Sequence, residues 1–315
     1  MKSIVSNILI GYPDHMNLRD LRYVVAVAEL GQFGRAAGAC NVSQPTLSGQ
    51  ILKLEEELGV QIFERDGRVA RVTERGEAIV AHARRGIGAA DDLKAAAAAA
   101  RDPLEGPIRL GIIATVGPYL APFLLPAAAR DLPQAPIRLV EDLTGHLLPL
   151  LADGKLDAAI IATDPPNDRL QEIALYDEPF CLMAPTGHPL AKKKAVRVSE
   201  IDPRSLLLLA DGHCLRDQAL DLCGHPDLGH GSAADMRAAS LETLLHMTAA
   251  GHGVTLAPLM AASGWRGKSG LVSVPLKGAD VARRVRLVWR RDMPRRKAIE
   301  ALAATASASG QAALG

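Results

Sequence analysis

Two cysteines and their polar neighbours are the residues of this 315-residue chain best suited to do chemistry. The segment ADGHCLRDQALDLCGHP, residues 210–226, places Cys214 and Cys223 nine positions apart, and His213 and Arg216 flank the first thiol. Cationic neighbours and a helix N-terminus favour the thiolate, which is the reactive form of cysteine. Four interpretations are open for the pair: buried structural thiols, a metal site, a catalytic thiol, or a switch.

The spacing of the two thiols bears on these interpretations. Zinc in structural sites takes four ligands, and although His225 and His230 stand nearby, their spacing fits no common zinc pattern. If residues 215–222 are helical, the cysteines lie about 13 Å apart along the axis, whereas a disulfide needs Cα atoms within about 7 Å. Oxidation of the pair would therefore unwind or refold the segment, which suits an allosteric switch.

Composition and charge set limits on the class of protein. A chain of this length exceeds one hydrophobic core, so two or three domains are expected. Aromatic residues make up only 3%, and no apolar run reaches the roughly 20 residues of a membrane span, so no membrane partner is expected. Residues 1–15 are too polar for a signal peptide and are expected to be a disordered extension of a cytoplasmic protein. Cytoplasmic thiols are normally kept reduced.

Residues 16–73 have the pattern of a winged helix-turn-helix. Two short helices come first, and a third begins after the N-cap Ser43 with Pro45 in its first turn. Two strand-like runs then flank Asp66-Gly67, a strong hairpin signal. The net charge of +1 predicts no partner by itself, so any argument for DNA binding rests on where the polar side chains stand.

This region closely resembles the DNA-binding domain of LysR-type transcriptional regulators. The resemblance is carried by LRDLRYVVAVAELGQFGRAAGACNVSQPTLSGQILKLEEELGVQIFERDGR. It implies that residues 33–52 form the helix-turn-helix proper and that promoter DNA and RNA polymerase are partners. The positions implied to face DNA are Ser43, Gln44, Pro45, Thr46, Ser48, Gln50 and Lys53 on the third helix, and Arg65 and Arg68 on the wing.

A long helix over residues 74–102 is predicted next, before a hinge marked by Pro103, Gly106 and Pro107. It carries an apolar stripe with no partner in the local sequence, made by Ile79, Ala83, Ile87 and Ala90. A lone helix with one apolar side usually pairs with a copy of itself. The segment resembles the dimerisation helix of the LysR family, which implies dimers that pair into tetramers.

Alternating strand and helix patterns predict a two-lobed α/β regulatory domain over residues 107–310. The segments predicted as strands are IRLGII, IRLVED, KLDAAIIA, FCLMAP, SLLLLA, GVTLAP and VRLVWR. A parallel sheet with helices on both faces is expected, and the arrangement resembles a periplasmic-binding-protein-like effector domain. Lobe I is assigned to residues 107–177 and 280–310, and lobe II to residues 178–279.

The whole chain from Met16 further resembles the peroxide-sensing members of the LysR family, through ATVGPYL, GHCLRDQ, RAASLETL and LVWR. This resemblance implies that hydrogen peroxide oxidises Cys214, that Cys223 resolves the product to a disulfide, and that glutaredoxin or thioredoxin resets it. The positions matching those around peroxide are Thr115, Thr144, His213 and Arg283. Two departures are a longer loop after Cys223 and Asp235, which stands where relatives have a histidine.

Two other functions stay open. The chain could be a LysR regulator that answers a small organic effector bound between the lobes, or a thiol peroxidase tethered to DNA. No GxSxG, Walker A, dinucleotide or HExxH motif occurs, so neither an enzyme nor a cofactor is expected. The two remaining cysteines, Cys40 and Cys181, are expected to be buried and inert in packing positions.

Overall fold

The computed structural model describes residues 16–66, 69–166, 168–224, 237–265, 270–278 and 281–315. The predicted N-terminal extension, the wing residue Arg68 and the loop residue Asp235 therefore lie outside the described residues. The chain divides into two compact units, Met1–Lys94 and Ala95–Gly315, each with its own hydrophobic core.

The N-terminal unit contains the three helices and the hairpin that the sequence predicted. The helices are α1 (Leu18–Leu30), α2 (Phe33–Ala39) and α3 (Gln44–Leu58), and the antiparallel strands are β1 (Phe63–Asp66) and β2 (Val69–Val72). Gly31 ends α1 in the left-handed conformation, at φ 64°, which glycine adopts without strain. Ser43 begins α3, because its Oγ accepts the Thr46 N–H at 3.3 Å.

The long helix α4 spans Glu74–Ala99. The sequence showed no local partner for its apolar stripe, and the structure provides one from elsewhere in the N-terminal unit for three of the four stripe residues. Ala83 is buried in the N-terminal core, and Ile79 and Ile87 pack against the same core. Local sequence did not indicate this because the contact joins residues far apart in the chain: a Cβ placed on Gly86 would lie 2.9 Å from Leu21 Cδ1 of α1.

The C-terminal unit is a mixed α/β domain. Its strands are β3 (Ile108–Ile113), β4 (Ile137–Asp142), β5 (Ala158–Ile161), β6 (Leu170–Pro185), β7 (Val196–Arg197), β8 (Thr255–Pro258), β9 (Leu271–Lys277) and β10 (Ala282–Arg290). Its helices are α5 (Gly117–Asp131), α6 (Thr144–Ala152), α7 (Cys214–Leu222), α8 (Leu241–Ala249), α9 (Leu259–Gly264) and α10 (Arg296–Leu314). Short 3₁₀ turns lie at Pro189–Lys192, Val198–Glu200 and Pro203–Ser205.

The sheet has the strand order β4-β3-β5-β10-β6-β9-β7, and β8 also pairs with β6. Strands β3, β4 and β5 are parallel, but β10 runs antiparallel to both β5 and β6. The predicted parallel sheet is therefore wrong for the middle of the sheet, where β10 and β6 make antiparallel pairs, although β7 and β9 at its far edge pair parallel. The cause is a return of the chain: β10 comes back late in the sequence and inserts between β5 and β6.

The long strand β6 links two parts of the domain. Residues 170–179 pair with β10, and residues 180–185 pair with β8 and β9. We call the part built on β3, β4, β5 and β10 lobe I, and the part built on β7, β8 and β9 lobe II. SLLLLA is not a regular strand, because it follows a 3₁₀ turn and makes only isolated bridges, Leu206 to Val254 and Leu209 to Ala238.

Across the described ranges, no helix is both long and apolar enough to cross a bilayer.

Candidate redox site

Cys214 is the first residue of α7 and forms one wall of a small cavity between the lobes. The preceding Gly212 has φ 93°, a conformation that favours glycine, and turns the chain into the helix. The cavity has a volume of about 10 Å³, and its walls are Ile113, Ala114, Thr115, Leu143, Thr144, Gly212, His213 and Cys214. The structure thus brings together Cys214 and three of the residues predicted to surround an oxidant.

Arg283 is the fourth predicted residue, and it is buried on β10 behind Thr115. Its Nη1 donates to Thr115 Oγ1 and its Nη2 to the Thr115 carbonyl, both at 2.9 Å. The guanidinium also donates from Nε at 3.0 Å and from Nη2 at 2.8 Å to Oε2 of Glu178. The other carboxylate oxygen of Glu178 accepts the Met260 N–H at 3.0 Å. The cation is therefore held in one orientation beside the cavity.

Burial raises the pKa of the Cys214 thiol above its usual range. The Arg283 charge, the Thr144 hydroxyl and the Leu215 N–H act in the opposite direction, but burial dominates. The resting group at neutral pH is therefore the thiol.

The flanking residues that the sequence suggested as thiolate partners have other contacts. Arg216 pairs through Nε with Asp211 Oδ1 at 2.9 Å, and Arg237 binds the same carboxylate at 2.6 Å. His213 Nε2 lies 3.2 Å from the carbonyl oxygen of Ala239. Among the cations, it is Arg283 whose charge lowers the pKa of Cys214, and Arg283 stands far away in sequence.

Thr144 provides a hydroxyl facing this thiol. Its Oγ1 is buried and makes no hydrogen bond of ordinary geometry with any described residue, yet it is close enough to Cys214 to lower the pKa of the thiol. A thiol is a weak hydrogen-bonding partner for a buried hydroxyl, so a bound polar molecule would add to the bonding of this group. The arrangement therefore favours a small hydrogen-bonding ligand beside the sulfur.

Cys223 lies at the opposite end of α7. It caps the helix, its N–H donating to the Ala219 carbonyl at 3.1 Å, and burial raises the pKa of its thiol. Cys214 packs against the core of lobe I, whereas Cys223 packs against a core of lobe II. None of the four cysteines forms a disulfide in this structure. Because the segment between the pair is helical, their sulfurs cannot meet unless α7 unwinds.

Three polar residues that sequence reasoning missed connect this region. Glu178 holds Arg283, and Gln218 of α7 donates from Nε2 to the Ala162 carbonyl after β5 at 2.7 Å. Tyr119 of α5 donates its hydroxyl to Glu242 of α8 at 3.2 Å. The sequence did contain a signal for Glu178, because the acidic pair 177–178 and the basic pair 283–284 each come just before a segment predicted as a strand.

The remaining cysteines differ from each other. Cys181 is buried on β6 in a core of lobe II, which confirms its predicted packing role. Cys40 is only half-buried, so the prediction of a buried thiol is wrong in degree, although burial still raises its pKa. No cluster suited to a metal ion occurs among the residues that the structure describes. The histidines considered as zinc ligands, His225 and His230, lie outside that part.

The predicted DNA-facing residues lie along one side of α3. Ser43, Gln44, Pro45, Thr46 and Lys53 are exposed, and Ser48 and Gln50 are half-buried. The opposite side of the helix packs into the core through Leu47, Ile51 and Leu54. The side chain of Arg65 lies outside the described part of the wing. The helix therefore presents short hydrogen-bonding side chains at its N-terminal end, as major-groove readers do.

Comparison with known families identifies both units. The family of bacterial regulatory helix-turn-helix proteins of the lysR type matches residues 18–77, and the LysR substrate binding domain matches residues 101–310. The second match alone covers more than half of the chain. The chain belongs to the LysR family of bacterial transcriptional regulators.

Within that family the chain is similar to OxyR proteins. The DNA-binding transcriptional dual regulator OxyR of Escherichia coli K12 is 42% identical over 91% of this chain and 94% of its own. A full-length OxyR mutant from Pseudomonas aeruginosa has a TM-score of 0.74 at 40% identity, covering 92% of this chain and 97% of its own. An H2O2-bound OxyR mutant from Corynebacterium glutamicum has a TM-score of 0.65 at 36% identity, covering 95% and 94%.

Proposed function

We propose that this chain is a DNA-binding transcriptional regulator that senses hydrogen peroxide through a reversible Cys214–Cys223 disulfide and controls oxidative-stress genes. The observation that carries the proposal is the cavity at Cys214, which has room for a water-sized group. A buried hydroxyl of Thr144 and a fixed cation, Arg283, stand beside it. The similarity of this chain to proteins named OxyR, one of them solved with hydrogen peroxide bound, supports the same function.

The first chemical step oxidises Cys214. The thiol gives up its proton, the sulfur attacks one oxygen of hydrogen peroxide, an S–O bond forms and the O–O bond breaks. The departing hydroxide takes up the proton and leaves as water, so that Cys214 becomes a sulfenic acid. The guanidinium of Arg283 and the hydroxyls of Thr115 and Thr144 stabilise the negative charge that develops on the leaving oxygen. His213 closes the site from the α7 side.

The second step forms the disulfide. The Cys223 sulfur attacks the Cys214 sulfur, the S–S bond forms, the S–O bond breaks and water leaves. Because α7 must unwind, Leu215 and Leu220 lose their buried positions and the contact from Gln218 to lobe I is released. The resulting change in the regulatory domain alters promoter binding by α3 and the wing residues Arg65 and Arg68.

Membership of the LysR family suggests how this chain assembles and which partners it has. The part of α4 beyond the N-terminal core is proposed to contribute to a dimer, with pairing of dimers into tetramers. RNA polymerase is proposed as the partner at promoters in the cytoplasm, and glutaredoxin or thioredoxin as the reductant that restores both thiols. The lobe boundaries proposed from the sequence place α7 in lobe II, facing lobe I across the cavity.

The experiment is thiol mapping by mass spectrometry after one brief equivalent of hydrogen peroxide, on the full chain bound to promoter DNA. A disulfide between Cys214 and Cys223, with Cys40 and Cys181 free, is expected. Cys214→Ser should abolish the change in the DNA footprint, and the control Cys181→Ser should retain it. Four untouched thiols and a peroxide-insensitive footprint would overturn the proposal in favour of a regulator that answers a small organic effector.

A further inference from the structure

We infer that Leu143 determines which oxidants reach Cys214, admitting hydrogen peroxide and excluding alkyl hydroperoxides. This inference rests on the proposed function and adds a specificity residue to the site. It starts from size, because a cavity of about 10 Å³ holds only a water-sized group. Hydrogen peroxide is an oxygen atom longer than water, so even its entry requires the walls to yield slightly, and a bulkier alkyl hydroperoxide requires far more.

The walls of this cavity differ in how they could yield. Ile113 and Thr115 are buried on and after β3, where they are part of the closely packed interior of lobe I. Leu143 is half-exposed at the start of α6, so its side chain stands between the cavity and solvent. It is a branched aliphatic side chain with no polar atom for an oxidant, so its contribution to the wall is its bulk.

The side chain of Leu143 meets the opposite lobe at Gly212. A Cβ placed on Gly212 would lie 3.1 Å from Leu143 Cδ1, closer than an ordinary van der Waals contact. The backbone of Gly212, at φ 93°, also disfavours any side chain there. The two residues therefore approach each other from the two lobes at the cavity. Leu143 is the one whose size can be changed without straining the turn that carries Cys214.

The reaction at Cys214 follows the same course whether the leaving oxygen of the peroxide carries a hydrogen or an alkyl group. With an alkyl hydroperoxide, the Cys214 sulfur would form the same S–O bond, the O–O bond would break, and the alkoxide would take the proton and leave as an alcohol. Arg283 and the two threonines would stabilise an alkoxide as they do a hydroxide. Discrimination between the two oxidants must therefore come from the space beside Cys214, and Leu143 limits that space as a wall of the cavity.

The test compares hydrogen peroxide with tert-butyl hydroperoxide on the full-length protein. The rate of Cys214 oxidation by each is measured by rapid quenching and mass spectrometry, and the ratio of the two rates is the readout. Leu143→Ala is expected to raise the ratio of the rate with tert-butyl hydroperoxide to the rate with hydrogen peroxide by about tenfold or more. This is the usual effect of pocket volume on discrimination between substrates. Any effect of the substitution that is common to both oxidants cancels in this ratio.

Leu148→Ala is the matched control, because Leu148 lies on the same helix and packs against the lobe I core without lining the cavity. Its ratio should equal that of the wild type. Leu143→Val, which removes a single carbon, should raise the ratio in the same direction by less, and it keeps the test valid if the alanine variant does not fold. An unchanged ratio in both Leu143 variants would overturn the inference. A wild-type Cys214 that ignores hydrogen peroxide would instead overturn the proposed function.

Discussion

Arg283 and Glu178 stand directly opposite each other on β10 and β6, and their side chains form a buried ion pair with Nη2 to Oε2 at 2.8 Å. The next pair in the same register, Arg284 and Asp177, forms an ion pair of equal length that is exposed. Successive strand residues point to opposite faces, so the same charge pattern places one pair inside and one outside. Of the two pairs, it is the inner one that contacts Thr115, a wall of the cavity, through Arg283.

Glu178→Gln is therefore expected to change both the stability of the protein and the reactivity of its thiol. Removing one partner of a buried ion pair typically costs about 3–5 kcal/mol, because the other charge is left uncompensated. The same change leaves the Arg283 charge less neutralised beside Cys214, so the pKa of the thiol should fall and alkylation at neutral pH should become faster. Thermal unfolding and the rate of iodoacetamide labelling of Cys214 measure the two effects.

Asp177→Asn is the matched control for that variant. It removes the same charge from the neighbouring position, but the pair it breaks is in contact with solvent. Its stability and its rate of Cys214 labelling are both expected to stay close to those of the wild type. Equal effects from the two variants would mean that the inner pair has no special connection with the thiol.

The pH dependence of Cys214 oxidation follows from the direction of its pKa shift. Because burial holds the pKa above its usual range, the reactive thiolate is a minor form at neutral pH. The rate should therefore rise by about tenfold per pH unit through the neutral range. In Arg283→Met the cation that lowers this pKa is lost, so the whole profile should move to higher pH. Combining it with Glu178→Met avoids a lone buried carboxylate.

A pH–rate profile of the double variant that coincides with the wild-type profile would contradict the role of Arg283. The rate of iodoacetamide labelling of Cys214 in denaturant provides the reference for an unperturbed thiol, because the electrostatic effects of the fold are absent in the unfolded chain. Cys181→Ser removes the other buried thiol from the measurement without touching the cavity.

Much of this fold could be predicted because the signals are local. Ser43 and Pro45 mark the start of α3 within a few residues. The segment between Cys214 and Cys223 is helical, which is the condition on which the argument from their spacing rested. The predicted cavity residues came from family resemblance, and the structure places Thr115, Thr144 and His213 around Cys214. These features depend on short-range sequence or on a shared motif.

The remaining features depend on contacts between distant residues. The direction in which the pKa of Cys214 is shifted was not predictable from sequence. The charges of neighbouring residues can be read there, but the burial of the thiol, which has the larger effect on its pKa, cannot. Nor could the antiparallel position of β10 be read from strand patterns, which do not specify the neighbour of each strand. Gln218 was unremarkable in sequence until its partner, the Ala162 carbonyl, was known.

Unwinding of α7 on oxidation gives a prediction for hydrogen exchange. In the reduced protein the amides at the end of α7 are bonded within the helix, for example Cys223 to the Ala219 carbonyl. After disulfide formation these amides should exchange orders of magnitude faster, because the unwinding of α7 breaks their hydrogen bonds and exposes them to solvent. Helix α8 is the internal control and should keep its protection. Unchanged exchange in α7 of the oxidised protein would refute the refolding step.

Gln218→Ala tests how the reduced helix is held against lobe I. Losing the hydrogen bond to the Ala162 carbonyl should cost the reduced state about 1 kcal/mol, which corresponds to a shift of roughly 20 mV in the potential of the disulfide. The potential should become more negative, since the reduced form is the one destabilised. Redox titration in glutathione buffers measures it, with the exposed Asp221→Asn on the same helix as control. An unchanged redox potential in Gln218→Ala would show that the contact from Gln218 to Ala162 contributes equally to the reduced and the oxidised protein, or to neither.

Lys53→Ala tests the DNA-facing side of α3. Lys53 is exposed beyond the short polar side chains of that helix, so it is expected to contact phosphate rather than a base edge. Its loss should weaken binding to all sequences and reduce the slope of log affinity against log salt by about 0.9. Gln44→Ala, at the helix N-terminus, should instead lower the preference for the cognate site by about 1–3 kcal/mol and leave the salt slope unchanged.

Fluorescence anisotropy over a range of salt concentrations separates the two effects on cognate and random DNA. Lys192→Ala removes the same charge from an exposed position in the C-terminal unit and should alter neither quantity. If Lys53→Ala leaves the slope at its wild-type value, Lys53 does not contact phosphate. The polar side of α3 would then have to meet DNA through its N-terminal end alone, where Gln44 and Thr46 are exposed.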